Sequence, residues 1–140
     1  MPKTIMAIPN ICLWLFVVCT PFEAFAEQPK VLSVSIVSLI ANPEKYEDKR
    51  ISVTGFLHIG FEDTAIYLHQ DDYQNSITQN GLWIFLPNNT DSISDFPGGC
   101  QSNRYVQVIG TFSTKFKGHM GAWSGSIQST EMCNFMLRAD

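Results

Sequence analysis

The reactive side chains of this sequence gather at two places. His69 stands in "LHQDDY", close to Asp71 and Asp72, and His119 stands in "KFKGHMGAWSG". An imidazole beside a carboxylate can ligate a metal ion, or serve as a general base with an orienting partner. On that reading His69, Asp71 and His119 are the metal ligands of a small metal-binding protein or metal-assisted hydrolase. The same residues have a plain structural use. After a strand end, Asp71 would cap a short helix and Asp72 would favour its dipole. No G-x-S-x-G elbow, H-E-x-x-H pair, glycine-rich phosphate loop or paired C-x-x-C occurs. No catalytic residue and no cofactor is assigned.

Lys115 to Gly125 also carries three glycines and Trp123. Glycines bracketing His119-Met120 supply the positive φ angles that a tight hairpin tip requires. The expectation is a turn between two strands, with Trp123 packing just inside the second.

Cysteine use depends on the start of the chain. Lys3 begins a short basic region, "ICLWLFVVC" is apolar, and Ala24-Phe25-Ala26 forms an A-x-A-like cleavage site. Residues 1–26 therefore read as a signal peptide, leaving Glu27 to Asp140 as one domain. Pro9 and Asn10 interrupt the apolar stretch, which falls short of the roughly 20 residues needed to span a bilayer. Lipidation at Cys19 is an alternative, although Val18 is not the small residue expected before such a cysteine. An exported chain, periplasmic or secreted, would retain Cys100 and Cys133, most simply as one disulfide. A bridge closing about thirty residues contributes roughly 3–4 kcal/mol.

The net charge of −4 holds with or without the leader, since Lys3 and Glu23 leave together. Nucleic-acid binders normally present a basic face, and no basic block appears here. Oligonucleotide binding is thus a third and disfavoured reading.

The elements that would position these residues are mostly strands. Ser35 could cap a short helix over "IVSLIAN", which Pro43 ends at Asn42, and a strand through Val31 to Val37 is the competing reading. From Arg50 the period becomes two: Ile51, Val53, Leu57, Ile59 and Phe61 share one face of a long strand. Gly55 and Gly60 interrupt it, as bends or bulges do. A turn at Glu62-Asp63 leads into a strand from Ala65 to Leu68, and one helical turn fits between Asp71 and Ile77. "LWIFLP", "RYVQVIGTFST" and "AWSGSIQSTEM" complete five strands. Ile51-x-Val53-x-Gly55 recurs as Val106-x-Val108-x-Gly110, which suggests two strands bending at a corresponding depth. Phe56, Tyr67, Trp83 and Phe85 alternate away from the apolar faces. Together they would form an aromatic binding face, or a second packing surface beneath a helix and a loop.

Five short strands, interrupting glycines and one or two short helices indicate a mainly β, five-stranded OB-like barrel. "VSLIANPEKYEDKRISVTGFL" resembles the opening of OB domains of the tRNA-anticodon-like group. There a helix with an Asn-Pro-x-x-Tyr-like element leads into Lys-x-Val-x-Val-x-Gly; here the matching positions are Asn42, Pro43, Tyr46, Lys49, Ile51, Val53 and Gly55. Gly81-Leu82-Trp83 and "GHMGAWSG" look like small exported bacterial proteins of uncharacterised function. The resemblance runs over most of Val34 to Ile127 and implies a binding face on the barrel. The partner so implied is a protein, peptide or glycan, bound by a non-catalytic module with no stable membrane insertion.

Overall fold

The computed structural model describes residues 30–85 and 100–135, with Met1 and Pro2, and gives the strand path alone for 131–135. The expected leader and the expected cleavage site lie outside the described residues. So do the chain between Phe85 and Cys100 and the Cys133 side chain.

A two-residue strand, β1 (Leu32–Ser33), precedes α1 (Ile36–Ala41). The Ser35 hydroxyl caps α1 by accepting the Ser38 N–H at 3.1 Å. Pro43 starts α2 (Pro43–Tyr46) at the first helical position, where its missing N–H costs nothing. Then come β2 (Arg50–His58), β3 (Ala65–Tyr67), α3 (Gln70–Gln74), a 3-10 turn at Thr78–Asn80 and β4 (Gly81–Ile84). Two long strands, β5 (Arg104–Ser113) and β6 (Ser126–Phe135), complete the sheet.

The strands pair in the order β2-β3-β4-β6-β5, and β5 returns to pair with β2. This closes a five-stranded barrel. Pairing is antiparallel except between β4 and β6, where Trp83 faces Ser126 and Ile84 faces Ile127 in parallel. β1 adds alongside β2, also in parallel. The molecule is thus a mainly β, OB-like closed barrel with short helices.

Alternation along β2 directs Ile51, Val53 and Leu57 inward, where they meet Ile66, Leu82, Val106, Val108, Phe112 and Ile127. Ile36 and Leu39 of α1 join this core at 1% and 0% exposure. Gly55 makes room for them: a Cβ there would meet the Tyr67 carbonyl oxygen, with Ile36 Cδ1 2.8 Å away. Gly110 marks a register shift in the β5–β6 pairing, between Ile109 and Thr111. The two matching segments of β2 and β5 lie against each other, with Gly55 opposite Val106, Val53 opposite Val108 and Ile51 opposite Gly110.

Three local expectations differ from the structure. Phe61 leaves the inner face and stands 93% exposed. β2 ends at His58, and the next backbone N–H, of Ile59, bonds the Ser102 hydroxyl, so the chain departs before Phe61 can alternate inward. The segment around His119 is no tight hairpin. β6 begins only at Ser126, and the β5–β6 connection, Thr114 to Gly125, holds a short 3-10 turn at His119–Gly121. Gly118 and Gly121 do take positive φ, 73° and 71°, as a reversing backbone demands. Finally, His69 rather than Asp71 occupies the N-cap of α3, and Asp72 reaches back to accept the His69 N–H at 2.9 Å.

Candidate functional site

The outer surface of β2, β3 and β4 carries the aromatic residues expected from alternation. Phe56 and Tyr67 are register partners across β2 and β3, and Trp83 faces Ala65 across β3 and β4. They do not form an open platform. Phe56 and Tyr67 are buried at 3% and 1% exposure, and Trp83 and Phe85 are half-buried.

Two insertions cover them. From α3, Tyr73 lies against Phe56 and Tyr67 with ring centres 5.8 and 5.7 Å away. From the β5–β6 loop, Trp123 meets Trp83 edge-on at 4.9 Å, and Phe116 meets Phe85 at the same distance. Several bonds hold the loop down. Thr78 donates its hydroxyl proton to the Ala122 carbonyl, the Ser124 hydroxyl donates to the Gln79 carbonyl, and the Ser124 backbone N–H bonds the Gly81 carbonyl. The result is a second apolar cluster on the outside of the barrel.

A cleft of about 480 Å³ opens where the two insertions and the β2–β3 turn converge. Asp63 comes from that turn, Tyr67 from β3 and Trp123 from the β5–β6 loop; Tyr73, Gln74, Ser76 and Thr78 form the other wall. The volume lies in the range of small-molecule sites, roughly 300–1,000 Å³.

The polar floor is organised around Tyr67, whose hydroxyl donates to Asp63 Oδ1 at 2.9 Å. Burial pushes the Tyr67 pKa far up, and the bonded Asp63 carboxylate pushes it further. The Trp123 indole N–H stands near enough to oppose this slightly, yet it completes no hydrogen bond and is buried. Tyr67 therefore stays protonated and serves as a donor, with no role as nucleophile or base at neutral pH. His58 stacks on Tyr73 at 4.2 Å, contacts Asn103 Oδ1 through Nδ1 at 3.1 Å, and places Nε2 3.9 Å from Asp63 Oδ2.

A larger cleft, about 560 Å³, lies between the first helices and the base of the β5–β6 loop. Its central carboxylate, Glu47, accepts from the Ser113 and Thr114 hydroxyls and the Thr114 N–H at 2.8–2.9 Å. That carboxylate ties the end of α2 to the end of β5, so this cleft has the marks of a structural joint.

The residues considered for metal binding are dispersed. His69 caps α3 and, like Asp71, is exposed, whereas His119 belongs to the β5–β6 loop, with Nε2 3.9 Å from Glu62 Oε2. Among the described residues no three His, Cys, Asp or Glu side chains are grouped to hold a metal ion. Cys100 is buried in the inner core at 1% exposure.

Of the expected face, Phe56, Tyr67, Trp83 and Phe85, Tyr67 alone lines this cleft, and Asp63, Tyr73 and Trp123 were not among the residues expected. The available signal was the length of the β5–β6 connection, which is too long for a simple tip. Comparison of the chain with protein families, curated proteins and solved structures gives no match.

Proposed function

We propose that this chain is a non-catalytic binding module which takes an uncharged polar ligand in the cleft between α3 and the β5–β6 loop. One observation carries the reading. The cleft lies on the outer face of β3, between the β2–β3 turn and the β5–β6 loop, the side of the barrel on which OB folds bind their ligands. Likeness to the tRNA-anticodon-like OB group, stated from Asn42 to Gly55, agrees with a binding role and assigns no ligand.

The chemistry of the wall argues against the alternatives. Among the described residues no lysine or arginine lines the cleft, and its one ionised group is a carboxylate. A phosphate backbone would meet repulsion there instead of charge neutralisation. His58, beside the cleft, stacks on Tyr73 and has Nε2 3.9 Å from Asp63 Oδ2, so its contacts do not aim it at a hydroxyl nucleophile. We place the module in the cell envelope or outside it on the strength of the leader, with Cys100 and Cys133 joined. Its ligand is then an envelope component or a partner's surface group.

Shift mapping of the isotopically labelled protein against a library of uncharged, cationic and anionic fragments tests the site. Perturbations should concentrate on Gln74, Ser76, Thr78 and the Trp123 indole, and come from uncharged compounds. Perturbations confined to Glu44, Glu47 and Lys117 would move the site to the other cleft and overturn the reading. Retention on single-stranded DNA that falls steeply with salt would replace it with oligonucleotide binding.

A further inference from the structure

Two large apolar side chains stand almost wholly in water on two different loops. Phe61, in the β2–β3 turn, is 93% exposed, and Met120, in the β5–β6 loop, is 91% exposed. Their neighbours in sequence join the loops, with His119 Nε2 3.9 Å from Glu62 Oε2. We propose that Phe61 and Met120, with the Glu62 and Asp63 carboxylates beside them, form a docking surface for a protein segment that is both basic and apolar. This surface shares only Asp63 with the cleft.

The fold makes no use of either apolar side chain, since neither buries its surface against the barrel. Met120 is also held at a φ of 54°, a left-handed conformation that glycine adopts without strain. Gly121, next in the chain, takes a φ of 71° with open space around it. The loop thus employs glycine where backbone shape alone is required, and at the adjoining position keeps a thioether in spite of the strain. Such a side chain is presented, not packed. Phenylalanine and methionine are both enriched at the centres of protein interfaces.

Charge selects the partner. The side chains of Glu62 and Asp63 are 54% and 37% exposed, and each has a histidine nitrogen at 3.9 Å, beyond hydrogen-bond reach. Both carboxylates therefore keep acceptor capacity for a lysine or arginine. The lysines of the β5–β6 loop are engaged elsewhere: Lys115 is held by Asp48 at 2.7 Å, and Lys117 lines the other cleft. Carboxylates at the rim of an apolar contact steer a basic partner and reject an acidic one.

Two other occupants fit less well. A second copy related by a two-fold axis would bring like carboxylates together, on a chain whose net charge is already −4. Two side chains also offer far less than the roughly 800 Å² that each partner buries in a stable interface. An area of that size suits a short segment held weakly and reversibly. Anionic lipid headgroups would be repelled by the same two carboxylates.

The test titrates labelled protein at low salt with an end-blocked heptapeptide in which lysine alternates with leucine and phenylalanine. Concentrations up to about 2 mM detect dissociation constants near 1 mM. One control peptide carries glutamate for lysine, and another carries serine for the apolar residues. The first peptide should shift Phe61, Glu62, His119 and Met120, less so as salt rises, and the controls should shift none of them. Phe61→Ser and Met120→Ser, both at exposed positions, should each weaken binding roughly fivefold or more. Glu62→Gln should weaken it by a smaller factor and reduce its dependence on salt. Equal shifts from either control, no shift at these residues, or binding indifferent to Phe61→Ser and Met120→Ser overturns the proposal. Shifts confined to Gln74, Ser76 and Thr78 overturn it too, while leaving the cleft as a binding site. Co-sedimentation with phosphatidylcholine vesicles, or self-association at millimolar concentration, that Phe61→Ser abolishes would reassign the surface to lipid or to a second copy.

Discussion

The rings of Trp83 and Trp123 cross edge-on at 4.9 Å, with the α-carbon of Gly118 wedged against both. A Cβ at Gly118 would come within 2.5 Å of a ring carbon of each, and its φ of 73° already disfavours any side chain. This contact joins the β5–β6 loop to the barrel wall and so shapes one side of the cleft.

Gly118→Ala should therefore cost about 2–4 kcal/mol, the sum of left-handed backbone strain and overpacking. Gly121 provides the control. It shares the positive φ but has open space around it, so Gly121→Ala should cost only about 1 kcal/mol. Denaturant unfolding of both variants measures the difference. Equal losses would mean that the tryptophan rings yield easily and do not hold the loop.

Glu47 gives a prediction in pH. Burial disfavours its charge, but the Thr114 backbone bond and the hydroxyls of Thr114 and Ser113 together outweigh burial and lower its pKa. A carboxyl with a depressed folded pKa contributes stability that is present above its unfolded value. That contribution is lost as pH falls through the folded value. Thermal melts of the protein should fall below about pH 4.5, and Glu47→Gln should flatten that decline while lowering stability at neutral pH. Lys115 is also paired with Asp48, at 2.7 Å, which raises its pKa, yet it is well exposed. Lys115→Met should leave the melt at neutral pH nearly unchanged. Identical acid profiles for Glu47→Gln and the unaltered protein would refute the joint.

Local signals made the barrel legible. Ser35 could be read as a cap because its hydroxyl acts three residues away. Of the two echoing glycines, Gly110 marks a register shift as expected of a bend, whereas Gly55 sits in unbroken pairing and makes room for Ile36. The outer aromatic face was equally visible, since Phe56, Tyr67 and Trp83 keep their side of each strand whatever covers them. What covers them was not visible. Thr78 and Ala122 are 44 residues apart, and their bond brings the β5–β6 loop over β4. Nothing in the period of either segment encodes that meeting. Asp63 was hidden for another reason. The turn at Glu62-Asp63 was expected, but not the φ of 56° at Glu62 or the Tyr67 hydroxyl four residues on that bonds Asp63.

The metal alternative makes a sharp prediction of its own. His69 caps α3 while Asp72 satisfies its backbone and also accepts from Asn80 at 2.8 Å. The helix end is thus built from hydrogen bonds. Purified protein should carry well under one equivalent of zinc, manganese or iron, and His69→Ala should not change that content. Its effect should be on stability, about 1 kcal/mol or less for a lost cap. One equivalent of metal that disappears with His69→Ala would restore the metal-binding reading.

The proposed Cys100–Cys133 bridge can be decided by counting thiols. Cys100 lies within the inner core, and residue 133 is the register partner of Val108 in the β5–β6 pairing. A bridge would staple the end of the connection after β4 to the strand that closes the barrel. Protein recovered from an exporting host should show no thiol reactive under denaturing conditions and gain two on reduction. The double variant Cys100→Ala, Cys133→Ala should lose roughly 3–4 kcal/mol if loop entropy dominates, together with the packing removed at position 100. Reduction alone isolates the first contribution, because it leaves both side chains in place. Two titratable thiols in the untreated exported protein would remove the bridge from the account and leave Cys100 as a packing residue of the barrel interior.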